Sequence, residues 1–320
     1  MKIAVVGAGN VGTTCTDIIA QRDIVKEIVL LDIKKNLAEG KALDIWQSAP
    51  ISNYNTRVLG VTNDYMRTTN SQVVVITSGL PRKPGMSRDD LIGTNARIIQ
   101  SVVSQIIDHS PRAKIIIVSN PLDVMTYAAY RTVIEKGKSP EWASKNVLGM
   151  AGVLDTARYR AFLADELGCV PQDIQALLLG GHGDTMVPLP RYTSVSGIPV
   201  TELIKEERLT SIIERTKKGG GEIINLLGTS AWYAPGASAA QMVEAIVKDY
   251  KRILPCCVLL QGEYDLKEVY LGVPVVLGAQ GVEDIIELNL DKGEKELLNT
   301  SALHVKEGMN LLDEMKLFQS

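Results

Sequence analysis

Residues 2–12 read KIAVVGAGNVG. An apolar run that breaks directly into Gly-x-Gly-x-x-Gly leaves the backbone few choices: a buried strand, a tight turn and the first turn of a helix. Gly7 permits the turn, Gly9 lets a bulky group approach the main chain, and Gly12 lets the helix pack close to the strand. The free amides at the helix start would then hold a diphosphate. Taken alone, such glycines also fit an ordinary turn, so the rest of the chain decides what they mean.

Beyond Gly12 the chain alternates regularly. Strand-like runs at Lys2–Val6, Glu27–Leu31, Arg57–Val61, Val73–Thr77 and Lys114–Ser119 are separated by amphipathic stretches at 11–20, 34–47, 88–108 and 121–135. The later strands are apolar with little alternation, as expected of parallel strands covered on both faces. The pattern predicts a doubly wound α/β parallel sheet. The second run, EIVLLD, leads into Asp32, twenty residues beyond Gly12. A carboxylate there can accept both ribose hydroxyls of an adenosine and would repel a 2′-phosphate, which favours NAD over NADP. The other reading of Asp32 is a solvated helix cap before Lys34 and Lys35. The nucleotide would rest on Gly7, Ala8, Gly9, Asn10, Val11, Gly12 and Asp32.

The second half has a different rhythm. Helices are predicted at 153–167, 201–227, 236–248 and 294–317, the last with Leu297, Leu298, Ala302, Val305, Met309 and Leu312 at helical spacing. Short strands near 174–179, 256–261, 268–271 and 274–277, punctuated by Pro255, Gly262, Gly272 and Pro274, predict an antiparallel, twisted sheet. EKGKSPEWASKN at 135–146 is the most polar break. It divides a dinucleotide-binding domain over 1–143 from an α+β substrate domain over 144–320.

The net charge of −3 argues against a nucleic-acid surface or a polybasic membrane patch. No apolar run approaches the roughly 18–20 residues that span a bilayer. The opening apolar stretch is also too short for a signal peptide. Cys15, Cys169, Cys256 and Cys257 form no C-x-x-C pair and read as buried free thiols of a cytoplasmic protein, with no cysteine-rich metal site.

Three polar sets carry the chemistry. Asp155 and Arg158 stand three apart on a predicted helix and share a face. They are either a surface ion pair or a buried pair, the Asp holding a histidine Nδ1–H and the Arg gripping a carboxylate in a two-pronged bond. The loop LPRKPGMSRDD after the fourth strand brings Arg82, Lys83 and Arg88 to the carboxyl end of the sheet, where open α/β folds bind ligands. VSNPLD at 118–123 ends a strand at Asn120 and starts a helix with Pro121. Finally, His182 stands after an apolar run within GGHGD. It is one of three histidines, and its glycines read as clearance for a ligand at the imidazole.

GAGNVG, LLD, LPRKPGMSRDDL, SNPLD, LDTARYR and GGHGDTMVP stand in the order and spacing of the lactate/malate dehydrogenase family, which the chain resembles over essentially its whole length. The resemblance implies an N-terminal Rossmann domain, a mixed α/β (α+β) substrate domain, and reversible hydride transfer between NAD and a 2-hydroxy acid. It implies His182 as proton donor and acceptor with Asp155 as its partner, Arg158 on the substrate carboxylate and Arg88 on the carbonyl. Asn120 would lie at substrate and nicotinamide after Val118 and Ser119, with Asn95 near the cofactor. Arg82 matches the position where lactate enzymes of the family carry Gln. An arginine there would meet the second carboxylate of malate or oxaloacetate, and leaving it unpaired in a closed site would cost about 3–5 kcal/mol.

The nearest alternative is a lactate enzyme. An NAD-dependent glycosidase and a non-catalytic NAD-binding protein are more remote. Glycosidases of that kind carry a metal-binding cysteine after the fifth strand, where this chain has Ser119. No metal, nucleic-acid or membrane partner is expected. A homodimer or homotetramer is implied, with the helices near 34–47 and 153–167 as packing faces. His109 is expected at a helix end and His304 at a surface or interface.

Overall fold

The computed structural model describes residues 1–81 and 87–318. Its first half runs β1 (Lys2–Val6), α1 (Asn10–Gln21), β2 (Glu27–Asp32), α2 (Leu37–Ser52), β3 (Arg57–Thr62), β4 (Val73–Ile76), α3 (Arg88–His109), β5 (Lys114–Ile117) and α4 (Leu122–Glu135). A short α5 (Pro140–Asn146) leads to β6 (Val147–Gly149) and α6 (Gly152–Leu167). Small strands come next: β7 (Ile174–Gln175), β8 (Leu178–Leu179), β9 (Val187–Pro188), β10 (Ser194–Val195) and β11 (Ile198–Pro199). The chain closes with α7 (Val200–Leu203), α8 (Glu206–Leu227), α9 (Tyr233–Val247), β12 (Arg252–Gln261), β13 (Lys267–Gly278), β14 (Gly281–Ile285) and α10 (Lys292–Glu314).

Strands β3-β2-β1-β4-β5-β6 form the parallel part of one sheet, so the strand order reverses between β1 and β4. That reversal opens a crevice at the carboxyl ends of the strands. The inner strands β1, β4 and β5 are apolar almost throughout because both faces are covered. Ile3, Val5, Leu30, Val73 and Val75 point into one core with α1, α2 and α9. Their neighbours Ala4, Val6, Val29, Val74 and Ile76 point into the other, with α3, α4 and α10. The period-two alternation thus separates two cores instead of separating core from solvent. At the first turn, Gly12 is obligatory: a Cβ there would lie 1.9 Å from the Gly7 carbonyl oxygen.

The antiparallel strands do not make a sheet of their own. β12 pairs with β6 through Cys257 and Gly149, so β12, β13 and β14 extend the same sheet to nine strands. The predicted strands at 268–271 and 274–277 are one strand, β13, which runs through Pro274. Pro255 and Pro274 face each other in the β12–β13 register. The outer neighbours ask only for a carbonyl at that level: β6 reaches only Cys257, and past the Val275–Ile285 pair of β14 the Ile286 N–H donates to the Pro274 carbonyl at 2.9 Å. No outer ladder there needs the donors that proline lacks.

Other boundaries move for local reasons. α2 continues past Pro50, because a proline in the last turn sacrifices only one N–H. The predicted helix at 201–227 is broken at Ile204 and Lys205 into α7 and α8. Pro121 is the N-cap of α4, outside the helix it was expected to begin. The apolar face of α6 is spent inside the chain, with Leu154, Tyr159 and Leu163 in the core, whereas α2 leaves Leu43 and Ile51 exposed. Leu297 also faces outward, so the buried stripe of α10 starts at Leu298. Among the cysteines, Cys169 is half-buried and the other three are buried. Among the described residues, no helix is long and apolar enough to cross a membrane.

Candidate active site

The run at 174–179 splits into β7 and β8, and β8 pairs antiparallel with β9. His182 therefore lies on the loop of a small hairpin. That loop is anchored at Gly180, whose N–H donates to the Gly272 carbonyl on β13 at 2.8 Å and whose carbonyl accepts in return at 3.1 Å. One residue on, the Gly181 N–H donates to Ser301 Oγ on α10 at 2.8 Å. A Cβ on Gly181 would strike Val305 Cγ2 at 2.7 Å. This glycine makes room for α10, not for a ligand as expected. Gly183 is the one beside open space, at φ +148°.

His182 is held from both halves of the chain, its ring by one and its main chain by the other. Nδ1 lies 2.8 Å from Asp155 Oδ2, and the main-chain N–H of His182 donates to Asp123 Oδ2 at 2.8 Å. Asp155, in the first turn of α6, also receives Arg158 Nη1 on its other oxygen at 3.3 Å. These side chains are 3% exposed for Asp155, 11% for Arg158 and 18% for His182. The Asp155–Arg158 pair is therefore interior, and the surface alternative falls. Burial alone would depress the imidazolium, but the Asp155 charge and hydrogen bond more than reverse this. With Asp123 adding and Arg158 subtracting, the His182 pKa stands above its ordinary 6.5.

Asp123 went unrecognised in the sequence. It stands in the SNPLD run, but its partner is 59 residues away. Burial raises its carboxyl above the usual range, against the pull of the His182 N–H and of Cys257. Burial, with the Asp123 charge beside it, pushes the Cys257 thiol well up, in keeping with a core residue.

At the sheet end, the amides that open α1 have no side-chain cap, and a Cβ on Gly9 would meet nothing within 4 Å. Gly9 and Asn10 are exposed there and Val11 is half-buried, while Gly12 is buried against the Gly7 turn, so the helix start keeps room for a diphosphate at its first amides. Asp32 is oriented by main-chain donors: Ala8 N–H to Oδ2 at 2.7 Å and Lys34 N–H to Oδ1 at 2.8 Å. Its carboxylate is fixed at the end of β2 with lone pairs left for a ribose. These features fit a dinucleotide.

Across the crevice, Val118 and Ser119 are buried beyond β5, and Ser119 Oγ donates to the Ser78 carbonyl at 2.5 Å. Asn120 is exposed at that end, while Asn95 is buried and serves as a brace. Its Oδ1 accepts from Leu80 N–H at 2.8 Å, and its Nδ2 donates to the Leu80 and Asn120 carbonyls at 3.1 and 2.8 Å. Arg88 begins α3 behind a Ser87–Asp90 capping box. Its Nη2 lies 3.3 Å from His304 Nε2 on α10, so His304 faces an arginine. His109 closes α3. Arg82 lies outside the described residues.

Comparison with known proteins decides the lineage. Residues 1–139 match the family description "lactate/malate dehydrogenase, NAD binding domain", and 152–315 match its alpha/beta C-terminal domain. The chain belongs to the lactate/malate dehydrogenase family. It is 66% identical over 313 residues to a malate dehydrogenase of Cytophaga hutchinsonii, covering 98% of each chain. It is 55% identical to that of Salinibacter ruber over 316 residues, covering 99% of this chain and 98% of that one. Among solved structures, a Salinibacter ruber malate dehydrogenase superposes with a TM-score of 0.93 at 53% identity over 99% of both chains. A Cryptosporidium parvum lactate dehydrogenase with lactic acid and NAD bound gives 0.91 at 37% identity, covering 98% of both. As in other members of the family, the first half is the NAD-binding domain.

Proposed function

We propose that this family member is an NAD-dependent malate dehydrogenase, interconverting (S)-malate and oxaloacetate. The observation that carries the chemistry is the interior set of His182, Asp155 and Arg158. Support for malate over lactate comes from Arg82 in the sequence and from the malate dehydrogenases of Cytophaga and Salinibacter.

When bound, the nicotinamide supplies a hydride acceptor or donor. Asp155 holds Nδ1, which leaves Nε2 as the atom that exchanges the proton. Neutral His182 takes the malate hydroxyl proton at Nε2; protonated His182 returns it to the oxaloacetate carbonyl oxygen. Arg158 grips the carboxylate next to the reacting carbon, and Arg88 polarises the carbonyl. Asn120 hydrogen-bonds substrate at the crevice. Arg82 neutralises the second carboxylate.

The test is NADH absorbance on adding oxaloacetate or pyruvate. Rapid consumption with oxaloacetate and little with pyruvate is expected; faster turnover of pyruvate would overturn the assignment. Arg82→Gln should lower kcat/KM for oxaloacetate by roughly the hundred- to thousandfold that an uncompensated buried charge implies, narrowing the gap to pyruvate. The protein is read as a cytoplasmic homodimer or homotetramer, with the exposed Leu43 and Ile51 of α2 supporting self-association. Light scattering of the purified chain measures that state.

A further inference from the structure

Helix α8 carries Gly219, Gly220 and Gly221 in succession near the middle of its 22 residues. Glycine is a poor helix former, so a run of three inside a helix asks for a reason. Only one of them has a steric reason. A Cβ on Gly219 would stand 2.3 Å from Arg158 Cδ, 2.9 Å from Nε and 3.3 Å from Cγ. A Cβ on Gly220 or Gly221 would meet nothing within 4 Å.

The clash falls on the stem of Arg158, not on a tip that could swing aside. The guanidinium is tied to Asp155 at 3.3 Å and is largely buried, so the head is held as well. We propose that Gly219 is a positioning residue for Arg158: its missing side chain is the notch in which the arginine stem lies, and this sets where the guanidinium meets the substrate carboxylate. The proposal rests on the role of Arg158 as the carboxylate-binding arginine. It makes α8 a determinant of carboxylate affinity, with no part in holding the cofactor.

The test compares Gly219→Ala with Gly220→Ala and Gly221→Ala. All three make the same change in helix propensity, but only the first meets Arg158. For Gly219→Ala, kcat/KM for oxaloacetate should fall about a hundredfold, the scale of an ångström-sized misplacement, mainly through KM. The NADH dissociation constant, from fluorescence titration, should stay unchanged. The two controls should keep their kinetics and gain about 2 °C in Tm. A Gly219→Ala enzyme with parental kcat/KM, or controls that fall equally far, would overturn the proposal.

A thermal cycle tests the contact without any activity measurement. Gly219→Ala should lower Tm or block folding in the parent, and raise Tm in an Arg158→Ala background. Equal losses in both backgrounds would overturn it. A parent enzyme inactive on oxaloacetate would count against malate dehydrogenase activity, while this cycle still decides the contact.

Discussion

The two ends of the crevice are built from different materials. At the dinucleotide end the groups are mostly main-chain: uncapped amides of α1 and glycines at the turn, with one side chain, the Asp32 carboxylate, itself held by the Ala8 and Lys34 amides. At the proton end they are side chains interlocked by charge, with His182 between Asp155 and Asp123 and Arg158 behind. A main-chain site is written in one contiguous stretch, because geometry that only glycine permits announces itself locally. A side-chain site is assembled from α4, α6, the β8–β9 hairpin and α10, and no short stretch contains it.

The contrast can be broken by showing that damage at one end reaches the other. The largest effect is expected from Asp155→Asn. Neutralising a buried aspartate that orients an imidazole costs on the order of a thousandfold or more in kcat, whereas NADH affinity should hold. The pH profiles should also move. In the proposed mechanism oxaloacetate reduction needs the proton on His182, so it should decline as pH rises through a pKa that Asp155 keeps above 6.5. By the same mechanism malate oxidation needs the neutral ring and should rise through the same pKa. Both midpoints should shift to lower pH in the variant. Unchanged midpoints would remove Asp155 from its role.

Gly12→Ala probes the other end, with a smaller effect. Its Cβ, 1.9 Å from the Gly7 carbonyl, forces the α1 start off the strand. Overpacking of this kind costs about 1–3 kcal/mol, which should appear as lower Tm and roughly tenfold to hundredfold weaker NADH binding. At saturating NADH the pH midpoints should stay where they were. A shift in them would mean the two ends are not separable.

The smallest effect sharpens the contrast most. Asp123 belongs to the first half by sequence and to the proton end by contact. Asp123→Leu leaves the His182 N–H without its acceptor, a loss of about 1–3 kcal/mol, and kcat should drop roughly tenfold with NADH affinity intact. Asp123→Asn keeps an acceptor oxygen and should recover most of that activity. If the Asn variant is as poor as the Leu variant, charge and not the hydrogen bond is what His182 needs from Asp123.

The same division explains what could be read from residues alone. The first five strands, the turn at Gly7–Gly12 and Asp32 were all foreseeable, since periodicity and glycine spacing are local signals. His182, Asp155 and Arg158 were identifiable as parts, and Asp155–Arg158 spacing even placed two of them together. Asp123 and Ser301 were not, because they meet His182 and Gly181 across 59 and 120 residues. Gly181 was given the wrong reason: its neighbour is a valine on α10, which no local pattern names. Pro255 and Pro274 misled in the opposite way. They look like strand ends, and only the register that sets them face to face shows why the strands continue.

The junction of β6 with β12 has a consequence for how such a protein can be rearranged. The sheet is shared across the chain, α10 returns to cover α3 and α4, and the histidine is tethered to one carboxylate from each half. A hybrid that joined the first half of one relative to the second half of another would therefore inherit a seam running through His182 itself. Exchange of whole halves is constrained at the Asp123–His182 and Gly149–Cys257 contacts, whatever the match in cofactor preference, and compatible donors will be those that match at these four positions.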